Sequence, residues 1–157
     1  MTSLAFNLPL GLAIGATLYL TGMLVVISVI DMKTLRIPDI LSLPLIAAGL
    51  TMAFAVPGVS AIDHVAGALA AYLLFAGVGE VYFRSRGIDG LGLGDAKLFA
   101  GAGAWLGWQA LPIVLLLATA GGLIQALLST KAERTTPLAF GPFISFAFWA
   151  VWMAKIF

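Results

Sequence analysis

Two aspartates frame the chemistry open to this chain. Asp95 follows three spaced glycines in Gly90-Leu91-Gly92-Leu93-Gly94-Asp95-Ala96-Lys97, just ahead of a long uncharged run, and Asp31 closes the uncharged stretch from Met1 to Ile30. A carboxylate at the edge of a bilayer-length apolar segment is costly and is by default a functional-site hypothesis. The glycines admit backbone angles closed to other residues and let another chain come close. If the two carboxylates meet, they cannot both ionise easily and so share a proton. One then acts as base on a water and the other as acid on a scissile carbonyl. This chemistry needs no nucleophilic side chain, no metal and no cofactor. The chain has no cysteine, which excludes disulfides, zinc-thiolate sites and thiol nucleophiles. Its one histidine, His64, is too little for a histidine metal cluster and a poor basis for a Ser-His-Asp triad.

The elements that must position the acids are membrane helices. The chain is 62% hydrophobic and 10% charged, with a mean hydropathy of +1.10. Soluble domains carry roughly 25% charged residues. The length fits a single transmembrane domain over residues 1–157, and a net charge of +1 gives no reason to expect a nucleic-acid partner. No Lys or Arg precedes the first apolar run, which reads as a retained transmembrane helix rather than a signal peptide.

About 20 apolar residues cross a bilayer, so helix 1 fits within Phe6–Ile30 and Asp31 ends it. Asp31 to Asp39 reads as a short polar loop, in which Pro38 biases Ile37 away from helix. Helix 2 is expected over Ile40–Val56, with a turn at Pro57-Gly58. Helix 3 is expected over Ala61–Phe83. Asp63 and His64 cap its start, and Glu80 near its end pairs with Arg84 at i,i+4. Gly107-Trp108-Gln109 and Pro112 break the uncharged run from Leu98 to Thr130 into a short helix 4, Ala96–Leu106, and a full helix 5, Leu111–Leu128. Helix 6 is expected over Leu138–Lys155. The fold class is therefore an all-α integral membrane protein with six transmembrane helices, the fourth short.

Lys33, Arg36, Arg84, Arg86, Lys97, Lys131 and Arg134 fall in or beside the loops after helices 1, 3 and 5, and only Lys155 departs from this side. By the positive-inside rule those loops are cytoplasmic and both termini face outward. Asp31 and Asp95, far apart in sequence, then share one membrane face at similar depth.

Three motifs in order carry a family resemblance: Asp31 with Pro38-Asp39, then Gly92-Leu93-Gly94-Asp95-Ala96-Lys97-Leu98, then Ala139-Phe140-Gly141-Pro142-Phe143. Together with Gly103-Ala104-Trp105-Leu106-Gly107-Trp108, they resemble the type IV prepilin peptidases, GxGD-type intramembrane aspartic proteases. The resemblance extends from about Leu20 to Trp152. It implies an aspartic endopeptidase in the bacterial inner membrane, its active site facing the cytoplasm. The substrate would be the basic leader of type IV prepilins or type II secretion pseudopilins. By the resemblance Asp31 and Asp95 are the catalytic pair, and Gly92, Gly94, Lys97 and Pro38 support them. Larger bifunctional members carry paired CxxC motifs in a cytoplasmic N-terminal region associated with methylation. This chain resembles the minimal peptidase form, or the peptidase part of a longer protein. Methyl transfer and S-adenosylmethionine binding are not carried over.

Plainer roles stand beside these. Asp39 and Asp89 read first as solvated loop charges, or else as contacts for the basic leader. Trp105, Trp108, Trp149 and Trp152 read as interfacial anchors or packing. Gly11-x3-Gly15 and Gly103-x3-Gly107 are expected to let helices approach within the fold. Two other function classes remain open. Presenilin-like or signal-peptide-peptidase-like proteases share the GxGD motif but hold their first aspartate inside a helix, whereas Asp31 is expected to begin a loop. A proton-coupled carrier would favour acids deep in the spans.

Overall fold

The structure, a computed structural model, describes residues 9–86, 92–128 and 139–156. Among these, six α-helices follow one another: α1 (Leu10–Thr34), α2 (Asp39–Ala55), α3 (Ala61–Arg86), α4 (Leu93–Leu106), α5 (Leu111–Leu128) and α6 (Gly141–Ile156), with a 3-10 turn at Trp108–Ala110. No strand occurs among the described residues. Among the described residues three segments are long and apolar enough to cross a membrane: Leu10–Thr34, Ala61–Val81 and Trp108–Leu128. The α2 and α6 helices are apolar but shorter.

Three hydroxyl residues of α1 find a carbonyl on their own helix. Thr21 donates to Thr17 O at 2.7 Å, Ser28 to Leu24 O at 2.7 Å and Thr34 to Ile30 O at 2.9 Å. The helix does not end at Asp31, as expected, but runs on to Thr34. Its stop is set by Leu35, which adopts a left-handed backbone (φ 53°) and donates its amide to Asp31 O at 2.8 Å. Pro38 then caps α2 with an extended backbone, φ −72° and ψ 142°. Asp39, expected in the loop, is the first residue of α2. The turn at Pro57-Gly58 forms as expected, with Gly58 at φ +84°.

The centre of the bundle is α4. It packs against α3 and α2 on one side and against α6 on the other, while α1 and α5 both lean on α6. Every residue of α4 from Leu98 to Leu106 is buried. Small residues permit this. A Cβ on Gly67 of α3 would stand 2.7 Å from Trp108 N and 2.9 Å from Gly103 O, and one on Gly103 would stand 2.7 Å from Ala68 N. The two backbones touch where side chains would otherwise keep them apart. Gly11 and Gly15 do not behave this way: nothing lies within 4 Å of either. The packing expected of that pair is absent among the described residues.

Large aromatic side chains fill the space around α4. Phe75 of α3 meets Phe99 with ring centroids 4.4 Å apart, and Trp105 meets Trp152 of α6 edge-on at 5.2 Å. Trp105 and Trp152 are fully buried, so neither is an interfacial anchor. Each satisfies its indole N–H, Trp105 by donating to Leu45 O at 2.7 Å and Trp152 to Thr17 Oγ1 at 3.0 Å. Trp149 donates to Thr21 Oγ1 at 3.0 Å, a second tie between α6 and α1.

Side chains from other helices close the C-terminal end of α4. His64 Nδ1 lies 2.9 Å from Ala104 O, and Lys155 Nζ donates to Leu106 O at 2.5 Å. A cation there suits the negative end of the helix dipole. The Asp63 carboxylate accepts from Trp108 Nε1 at 3.2 Å and Gln109 Nε2 at 3.0 Å. The cap of α3 is Ser60, whose Oγ accepts the Asp63 amide at 3.4 Å. Asp63 and His64 thus tie α3 to the far end of α4 instead of capping their own helix.

Candidate active site

The end of the bundle opposite His64 and Lys155 gathers the three motifs. Asp31 sits in the last turn of α1 and is 4% exposed. An anion there is opposed by the dipole of its own helix and needs a compensating donor. It finds one at the start of α6: Gly141 N–H donates to Asp31 Oδ2 at 2.9 Å. Free amides at a helix N-terminus point outward toward anions. Pro142, next in line, has no N–H to offer and a ring already shaped for a first helical turn. Gly141 is glycine because nothing larger fits. A Cβ on it would stand 2.6 Å from Asp31 Oδ2 and 2.9 Å from Asp31 Cγ.

Asp95 lies in the first turn of α4, partly exposed, and α4 begins at Leu93 rather than at Ala96. The two acids lie at the same end of the bundle, because Ile37, soon after Asp31, packs against Gly94, the neighbour of Asp95. Gly92 caps α4 with an extended backbone, φ −70° and ψ 140°. Gly94 does not use the backbone angles that glycine admits: it is helical, and the positive-φ glycines among the described residues are Gly58 and Gly107. Its constraint is closeness. A Cβ there would stand 3.0 Å from Ile37 Cβ, 3.2 Å from Ile37 N and 3.4 Å from Ile37 O.

Lys97 and Asp39 form an ion pair, Nζ to Oδ1 2.6 Å, with their side chains 23% and 58% exposed. Asp39 is therefore not simply a solvated charge. Glu80 and Arg84 pair as expected, at 2.7 Å on the surface. Asp89 lies outside the described residues. No group of three or more metal-ligating side chains occurs among the described residues.

Several roles were invisible in the sequence. The Gly141 amide reaches Asp31 across most of the chain, and no local pattern encodes that bond; a glycine ahead of proline at a helix start was the only signal. The Lys97–Asp39 pair joins a residue expected at the start of helix 4 to one expected in the loop after helix 1. Asp31 lies inside a helix, so its placement does not distinguish this chain from presenilin-like enzymes, as had been expected. That distinction comes from comparison with known proteins.

Residues 18–127 match the model of the type IV leader peptidase family. The chain is 42% identical over 138 residues to a prepilin leader peptidase/N-methyltransferase of Pectobacterium carotovorum subsp. carotovorum, covering 86% of this chain and 50% of the relative. It is 40% identical over 150 residues to a protein of the same name from Aeromonas hydrophila, covering 94% of this chain and 52% of the relative. A third of that name, from Escherichia coli (strain K12), is 42% identical over 125 residues, covering 76% of this chain and 54% of the relative. The chain thus spans about half the length of these curated relatives. No solved structure matches it. With the motifs, their order and the matched span in agreement, the chain belongs to the type IV leader peptidase family.

Proposed function

We propose that this chain is a membrane aspartic endopeptidase that removes the basic leader of type IV prepilins or type II secretion pseudopilins. The observation that supports the proposal is that two acids from distant parts of the chain lie at one end of the bundle: Ile37, soon after Asp31, meets Gly94, the neighbour of Asp95, and the Gly141 amide holds Asp31. In the proposed reaction one aspartate is ionised and takes a proton from water as the water attacks the scissile carbonyl. The other, protonated, donates to the carbonyl oxygen. The tetrahedral adduct then collapses, the carbon–nitrogen bond breaks, and the leaving amine takes a proton from the dyad. Only the peptidase part of the relatives' name is proposed here, since the site is a pair of acids.

The same proposal places six spans in the bacterial inner membrane, with the acids at the cytoplasmic face and both termini outside. The basic loops support that orientation. Lys155, the exception, is held by Leu106 O inside the bundle rather than standing in a loop. The partners are then the lipid bilayer and a prepilin or pseudopilin, with Asp39 and Asp89 as the acids nearest a basic leader. Leader contact at Asp39 would compete with Lys97.

Asp31→Asn and Asp95→Asn are the test, in a leader-processing assay with the purified chain. Each variant is expected to lose cleavage while remaining inserted, because an amide can neither share the proton nor supply the base. Near-normal cleavage by either variant sinks the assignment.

A further inference from the structure

Between the two acids runs a short segment, Ile37-Pro38-Asp39, that lies along the first turn of α4. It touches that turn at two points on either side of Asp95 in sequence. Gly94 meets the Ile37 backbone and Cβ so closely that a methyl group would stand 3.0–3.4 Å from three of its atoms. Three residues on, one helical turn away, Lys97 Nζ meets Asp39 Oδ1 at 2.6 Å. Two residues before the segment, Leu35 donates its amide to Asp31 O at 2.8 Å, so the chain enters the segment straight from the turn that carries Asp31. Pro38 stiffens the middle by fixing its φ near −72°. Ile37 is buried and cannot swing away.

An exposed ion pair adds roughly 0–1 kcal/mol to stability, so anchoring the bundle is a poor explanation for Lys97. Its position explains more. We infer that the Lys97–Asp39 ion pair, seated beside the Gly94–Ile37 contact, is a positioning strut that sets where Asp95 stands relative to Asp31. Lys97 and Asp39 are positioning residues acting through the backbone that carries the acids. The inference rests on the proposed peptidase reading and adds to it a physical role for Lys97.

The test is steady-state cleavage of a leader-bearing peptide by the purified full chain in detergent, with kcat and KM determined separately. Lys97→Met and Asp39→Asn are each expected to lower kcat about tenfold or more, since displacement by about 1 Å can cost a hundredfold. KM of Lys97→Met should stay within about twofold, because substrate binding is not what the strut supplies, whereas KM of Asp39→Asn also carries any leader contact. The double variant should be no worse than the more damaged single, since both remove one interaction. The charge-exchanged pair Asp39→Lys with Lys97→Asp should recover much of kcat, and Lys97→Arg most of it.

Three outcomes overturn the inference. One is a loss confined to KM, which makes Asp39 a leader contact only. Another is a defect in Lys97→Met with none in Asp39→Asn, which makes Lys97 act directly on Asp95 or substrate. The last is independent, multiplying losses in the double variant. Asp95→Asn is assayed alongside: if it still cleaves, the peptidase reading fails instead. Should Lys97→Met not purify folded, Asp39→Asn and Lys97→Arg carry the same comparison with polar side chains retained.

Discussion

At Gly141 a single methyl group decides whether Asp31 keeps its carboxylate in place. The Cβ of Gly141→Ala would overlap Asp31 Oδ2, 2.6 Å away, so either the carboxylate or the start of α6 must move. We expect cleavage to fall roughly a hundredfold, in line with the cost of a displacement of about 1 Å, with the protein still inserted; leader processing by the purified variant measures it. Wild-type rates would mean that Asp31 does not need the amide. Gly94→Val should be comparably damaging because Ile37 blocks the new side chain. Gly77→Val is the control, since nothing lies within 4 Å of Gly77. Equal rates in the two valine variants would remove the close-contact argument. That Asp31 and Asp95 stand at the edges of long apolar runs was legible in the sequence, since one closes such a run and the other precedes one. The reason for Gly94 was not. Sequence suggests a backbone angle, but the constraint is a neighbour brought in from another helix.

Among the helices, packing separates two glycine pairs that look alike on paper, Gly11-x3-Gly15 and Gly103-x3-Gly107. Gly103 meets Gly67 and presses α3 and α4 together, whereas a Cβ on Gly11 or Gly15 would meet open space. Gly103→Leu should therefore destabilise the bundle by about 1–3 kcal/mol or more, the usual cost of overpacking. Gly15→Leu should leave stability nearly unchanged. Thermal unfolding in detergent distinguishes them, and equal midpoints would refute the packing assignment. Helix ends were legible where a breaker sits on the boundary. The span of α5 is as expected, Leu111–Leu128, and α2 is displaced by one residue at each end. They were misread where a polar residue or a glycine finds its partner far away in sequence. Asp31 looked like a terminator, but Gly141 satisfies it and α1 continues. Gly94 and Asp95 looked like loop but form the first turn of α4. For the tryptophans the sequence left anchor and packing open, since composition cannot say whether an indole N–H will meet Leu45 O or the membrane surface.

For the whole molecule, the proposed orientation can be read by chemistry that the native chain leaves free. It has no cysteine, so Lys33→Cys and Gly58→Cys each provide a unique thiol at opposite ends of the bundle. A membrane-impermeant maleimide should label Gly58→Cys in intact spheroplasts and Lys33→Cys only after lysis. The reverse pattern would invert the topology. The encasement of α4 has a further consequence, for biosynthesis. At 14 residues it is about 21 Å long, less than the roughly 30 Å of hydrocarbon it would have to cross alone. From Leu98 to Leu106 it presents no exposed residue that lipid could reach. The bilayer therefore offers it no stable resting place as a lone span, and its neighbours must shelter it. One of those neighbours, α6, leaves the ribosome after every other described helix, carrying both the Gly141 amide that holds Asp31 and the Lys155 that closes α4. A nascent chain that has not yet delivered α6 has both aspartates but no fixed pair. On the proposed peptidase reading, the dyad is therefore completed only once α6 is in place.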